Sequence, residues 1–255
     1  MTSIGETNVI TGINLEIGTP SPSAPSHGEI DVSVSFSPLC GRQYNTGGRI
    51  MHDDFSQYSA SASSYSDPQS IESFVKRTVI MANMIDLSQL CVSEGKAAWK
   101  INICCTVINH DGNVVDCLIL GIVSALGDLR LPAVKMQKID GEEIVQLLSD
   151  PLDVTRMERS SQGLKIEKIA IPLTVGIFQG KMLVDPDAEE ERLCDGQITA
   201  VVDMNSLTES DGVLQGNILN LNKSGGGVFS SAEEIAASVQ LAFGRAKELK
   251  SIILI

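Results

Sequence analysis

Basic residues are scarce in this sequence. The 255-residue chain sets 19 lysines and arginines against 32 aspartates and glutamates, a net charge of −13. A surface this acidic repels phosphate backbones, which excludes the isolated chain as a strong nucleic-acid binder. The six cysteines (40, 91, 104, 105, 117 and 194) form no Cys-x-x-Cys pair, and most lie inside apolar runs. That spacing argues against a zinc set or a disulfide framework and for reduced core thiols, as in a nuclear or cytosolic protein. His110 does not complete a metal site with Cys104 and Cys105, because neighbours on a strand face opposite ways. No apolar run reaches the ~18 residues of a membrane span, and no secretory leader is read. What is plentiful is apolar: 43% of residues are hydrophobic, enough for a full core.

The stretch 99–132, WKINICCTVINHDGNVVDCLILGIVSALGDLRLP, organises the rest. Ile101, Ile103, Cys105 and Val107 alternate with other residues and share one face of a predicted strand. His110, Asp111, Gly112 and Asn113 read as a turn. From Val114 the chain is apolar on nearly every side until Gly127 and Pro132, which predicts a short helix buried on most faces.

Around this centre, residues 9–15 alternate as a strand without an obvious earlier partner, so the fold is expected to lack its N-terminal strands. A second strand is read at 29–37. The Gly-rich loop after it holds Arg42 and Arg49, candidates for contact with an RNA backbone. Residues 53–70 are serine-rich and read as a disordered surface insertion. Ile71, Phe74, Val75, Thr78 and Val79 have helical spacing, with Ser70 placed as N-cap. Residues 134–163 read as charged and irregular, with a short helix at 142–148. Strands at 166–178 and 181–184 form a hairpin across Gln179 and Gly180. Residues 197–203 and 213–221 form another pair. Overlapping capping boxes at Ser230 and Ser231 open a long amphipathic helix.

Taken together, SPLCGR, the block DLSQLCVSEGKAAWKINICCTVINHDGNVVDCLILGIVSALGDLRLP, LVDPDAEEERLCDGQITAVVD, KSGGG and a terminal helix resemble the RNase PH family. Within it the chain is most similar to the non-catalytic ring subunits of the eukaryotic RNA exosome, in the branch called exosome component eight. The resemblance covers nearly the whole chain outside the serine-rich stretch. It implies an α+β fold with mixed sheets, the RNase PH-like (ribosomal protein S5 domain 2-like) architecture, as one domain over 1–255.

Active relatives are expected to bind phosphate at the N-terminus of the buried helix, where free N–H groups, the helix dipole and an arginine favour an anion. Here that run is Asn113, Val114, Val115 and Asp116. Val115 stands in the arginine's place, and Asp116 adds a repelling charge. On the preceding helix Arg77 matches one basic position, while Ile80 stands where another arginine is common. Active relatives also need carboxylates after strand 182–184 for acid–base or metal chemistry. Asp185, Asp187, Glu189, Glu190, Glu191 and Asp195 are the candidates, Asp187 and Asp195 foremost, but acids without basic groups do not hold phosphate. They are read as structural, and no metal site or cofactor is assigned.

The resemblance therefore implies a catalytically inactive subunit of the exosome ring that supports 3′-to-5′ RNA processing, rRNA processing and RNA degradation. Its implied partners are related subunits in a six-membered ring, S1/KH-type cap subunits, an associated hydrolytic exoribonuclease and single-stranded RNA in the channel. The implied location is nucleus and nucleolus, and also cytoplasm. The alternative is an active phosphorolytic exoribonuclease using Asp187, Asp195 and Arg77.

Overall fold

A computed structural model describes residues 1–40, 68–132, 134–139, 142–147, 162–210, 212–225 and 231–252. Its centre is the strand read from sequence, β5 (Ala97–Asn109), whose Trp99, Ile101, Ile103, Cys105 and Val107 are buried. Lys100, Asn102 and Thr106 take the other face, where accessibility rises. This period of two is what a sheet covered on one side demands. On one edge of β5 runs β2 (Thr7–Gly18), antiparallel; on the other runs β3 (Glu29–Phe36), parallel. Short β4 (Cys91–Ser93) pairs with the start of β5.

The strand at 9–15 does have an earlier partner. β1 (Thr2–Ile4) folds back on β2 through Gly5, whose φ of +53° suits a tight reversal. The sequence hid this because three residues carry too little pattern to read as a strand.

Helix α1 (Pro68–Met81) packs on β3 and buries Ile71, Phe74, Val75, Thr78 and Val79, the stripe expected from spacing. Its start differs. The helix begins at Pro68, where a fixed φ and a missing N–H suit a first turn, so Ser70 lies inside the helix and does not cap it. The remainder of the serine-rich stretch, 53–67, lies outside the described residues.

Helix α2 (Val114–Asp128) follows the turn after β5 and buries ten of its residues, packing against both β2 and the strand Ala170–Phe178. A helix apolar all round needs such cover on several sides. After it come the short β6 (Arg130–Leu131), β7 (Val134–Ile139), β8 (Glu142–Leu147) and β9 (Gln162–Gly163). The helix expected at 142–148 is therefore a strand, paired antiparallel with β7. Six residues are too few to nucleate a stable helix alone, whereas pairing supplies their backbone hydrogen bonds at once.

The second sheet runs β11–β10–β12–β15, all antiparallel. β10 (Ala170–Phe178) and β12 (Gly196–Asp203) are buried almost throughout, and β11 (Lys181–Val184) closes the expected hairpin through Gln179 and Gly180. Pro172 is tolerated in β10 because β11 reaches only Val175 to Phe178, leaving one side of Pro172 without a strand to bond among the described residues. Helix α3 (Ala188–Leu193) sits between β11 and β12. The single strand read at 213–221 is two strands. β14 (Val213–Gln215) pairs with β13 (Thr208–Ser210), and β15 (Ile218–Ser224) pairs with β12. Gly216 and Asn217 separate them. Helix α4 (Ala232–Leu249) starts with the Ser231–Glu234 capping box and lays Val239, Ala242, Phe243 and Ala246 on β12 and β10. One hydrophobic cluster joins residues of both sheets with α1, α2 and α4.

Candidate functional site

The N-terminal end of α2 gathers the most unusual chemistry in the described chain. Its geometry starts at β2. The Thr7 hydroxyl donates to the Gly112 carbonyl at 2.6 Å and accepts the Asp111 N–H at 2.9 Å, which pins the turn. The Gly112 N–H is donated to His110 Nδ1 at 3.1 Å, and burial lowers the His110 pKa, in keeping with a neutral ring that accepts there. Gly112 has φ +87°, and a Cβ on it would come within 2.5 Å of the Pro186 carbonyl oxygen. Only glycine meets both conditions.

Asn113 follows, buried, with φ +44°. Its side chain does not cap the helix. Instead its Nδ2 donates to Asp116 Oδ2 at 3.2 Å and to Asp185 Oδ1, while its backbone N–H donates to Glu191 Oε1 at 2.8 Å. Asp116 is fully buried and further accepts the Thr174 N–H at 3.1 Å and the Thr174 hydroxyl at 2.8 Å. Thr174 and Thr199 hydroxyls meet at 3.0 Å. Burial pushes the Asp116 carboxyl up to about 6, against the hydrogen bonds from Thr174 and Asn113 and the charge of Arg245 on α4. Burial likewise pushes Glu191 up to about 7, helped by Asp116 and Asp187 and opposed by the Asn113 N–H and Gln197.

The residues singled out from sequence fare differently. Asn113, Val114, Val115 and Asp116 do come together, all buried at the helix start. Asp187 is exposed and caps α3, accepting the Glu189 N–H at 2.9 Å and the Glu190 N–H at 2.8 Å. Asp195 is exposed and accepts the Gln179 N–H at 2.9 Å, tying down the β10–β11 hairpin. Arg77 is exposed on α1, its guanidinium 5.8 Å from the Phe74 ring centre, and Ile80 is exposed one turn on. Arg42 and Arg49 lie outside the described residues. Sequence reasoning missed Thr174, Gln197 and Arg245. Thr174 leaves a faint signal as the lone polar residue within the apolar run of β10, while Gln197 shares β12 with Thr199 and does not stand out. Arg245 leaves none.

An oxyanion approaching this helix start meets acid. At an effective dielectric of about 20, a charge about 5 Å from a carboxylate is repelled by about 3 kcal/mol. A helix N-terminus contributes about 0.3–2 kcal/mol the other way. While Asp116 is ionised the repulsion exceeds the helix contribution, and the Asn113 N–H at this helix start is bonded to Glu191.

Two family models cover most of the chain: domain 1 of the 3′ exoribonuclease family matches residues 1–132, and domain 2 matches residues 168–245. The chain belongs to the RNase PH family. Its architecture agrees with that membership, including the mixed sheets expected from sequence. Among RNase PH-like relatives, the exosome complex component Rrp42 of Thermococcus onnurineus is 29% identical over 253 residues, which is 98% of this chain and 78% of the relative. That of Pyrococcus furiosus is 28% identical over 256 residues, 100% of this chain and 78% of the relative. These relatives are archaeal. In fold, the chain resembles a chain of an Archaeoglobus fulgidus exosome with RNA bound to the active site, at 21% identity and TM-score 0.69 over 98% of this chain and 80% of the other. It also resembles a chain of an archaeal exosome core, at 21% identity and TM-score 0.65 over 96% and 76%.

Proposed function

We propose that this RNase PH family member is a catalytically inactive subunit of an exosome ring. In this role it pairs with related RNase PH-like subunits, helps close a six-membered ring, and forms part of a channel for single-stranded RNA undergoing 3′-to-5′ processing or degradation. Activity then resides in partner subunits. The proposal extends to S1/KH-type cap subunits, an associated hydrolytic exoribonuclease, and residence in nucleus, nucleolus and cytoplasm. It also retains the eukaryotic, component-eight assignment from sequence.

One observation carries the inactive assignment. At the start of α2 the chain's own Glu191 takes the Asn113 N–H, Asp116 fills the first turn, and Val115 offers no charge. Likeness to the Rrp42 exosome components supports the ring. β3 and β15, which have a strand on one side only among the described residues, supply backbone groups for pairing with a neighbour. A net charge of −13 favours a channel whose positive charge comes mainly from other subunits.

Reconstitution with RNase PH-like partners tests this reading. The expected result is a ring that needs this chain to assemble, and no phosphate-dependent shortening of a 3′-tailed RNA by the chain alone. A ring that forms without it, or turnover by the isolated chain that Asp195→Asn abolishes, overturns it.

A further inference from the structure

The segment 185–195 holds the start of α2 mainly through acids. Glu191 accepts the Asn113 N–H at 2.8 Å, and Asp185 accepts from Asn113 Nδ2. Backbone at 186–188 lies so close to Gly112 that no side chain fits there. The segment's own order is separate: Asp187 and Glu190 form a capping box, and Asp195 bonds the Gln179 N–H. Glu191 is thus a link between this segment and α2 that can be altered without removing the segment's internal caps.

The groups facing Glu191 set its behaviour. Asp116 faces it from α2 and Asp187 from its own helix, both of its own sign. Asn113 and Gln197 face it as neutral amides, from the start of α2 and from β12. Arg245 of α4 acts on Asp116, and Arg192 acts on His110. Among the described residues, two amide oxygens of the cluster, Asn113 Oδ1 and Gln197 Oε1, are buried without a hydrogen-bond partner, against one such donor, Arg245 Nε of α4. The cluster is therefore rich in acceptors, and a proton on Glu191 relieves it.

We propose that residues 185–195 form a proton-linked clasp, closed over the start of α2 while Glu191 holds a proton and loosened when that proton passes to solvent beside Asp116 and Asp187. The device stands apart from the ring assignment. It sets how firmly one buried helix end is covered, whatever the chain assembles with.

Linkage gives the size of the effect. Closed, Glu191 titrates at about 7; open to water it returns to its ordinary value of 4.5. Opening then becomes easier with rising pH, by up to tenfold per pH unit between about pH 5 and 7, and levels off above.

Hydrogen exchange of the full chain, read by mass spectrometry over 186–197 and corrected for intrinsic rates, tests this across pH 5 to 9. The expected result is protection that falls by up to tenfold per unit to about pH 7 and then holds, while β10 keeps its protection. Glu191→Gln, which has no proton to lose, flattens the profile. Asp187→Asn keeps a cap but removes a like charge, and moves the levelling point to lower pH. A flat wild-type profile, an unchanged slope in Glu191→Gln, or an equal fall in β10 overturns the clasp. If Glu191→Gln does not fold, an unmoved levelling point in Asp187→Asn overturns it.

Discussion

Gly112 and Asp116 carry the most sharply defined predictions at the scale of single residues. Gly112→Ala places a methyl 2.5 Å from the Pro186 oxygen at a φ of +87°. Strain and overlap together are expected to cost about 2–4 kcal/mol, measured by urea unfolding. Asp116 has a folded-state pKa raised to about 6 from 3.8. Its folded form holds the proton more tightly, so its contribution to stability is greatest below about pH 4 and is lost as pH rises through about 6. Asp116→Asn removes that decline, seen as a flatter melting temperature between pH 4 and 7. Asp116→Ala instead strands the buried Thr174 N–H and is expected to cost about 2–4 kcal/mol. The sequence alone led to the expectation that Val115 and Asp116 stand where active relatives place a cation. It could not show that Glu191, 78 residues further on, reaches the Asn113 N–H, because a contact across elements leaves no local pattern.

Elements with internal logic were the most legible. The alternation in β5, the apolar wrap of α2 and the stripe of α1 each follow from one period, and each burial pattern matches it. β8 was not legible: its six residues take their conformation from pairing with β7. The site divided in the same way. Asp187 and Asp195 were visible as acids; that Asp187 caps α3 and that Asp195 accepts the Gln179 N–H were not. At this scale Ser231→Ala, which removes the acceptor of the Glu234 N–H, is expected to destabilise by about 1 kcal/mol. Chemical denaturation with unchanged slope checks it.

For the whole molecule, the decisive feature is that one apolar cluster runs from β2 and β5 through α2 to β10, β12 and α4. The two sheets are therefore expected to unfold as one domain, in a single cooperative transition with coincident fluorescence and circular-dichroism curves. Leu118→Ala, at the fully buried middle of this cluster, is expected to lower stability by about 3 kcal/mol and to move both curves together. Two separated transitions contradict that reading. The same cluster fixes the start of α2 between the sheets, with α3 and its acids over it, and this arrangement underlies the inactive assignment. Crystals soaked in inorganic phosphate test it most directly. The account predicts that no phosphate binds beside Asn113 and Val115 and that Glu191 keeps the Asn113 N–H. A phosphate seated there, with Glu191 displaced, contradicts it.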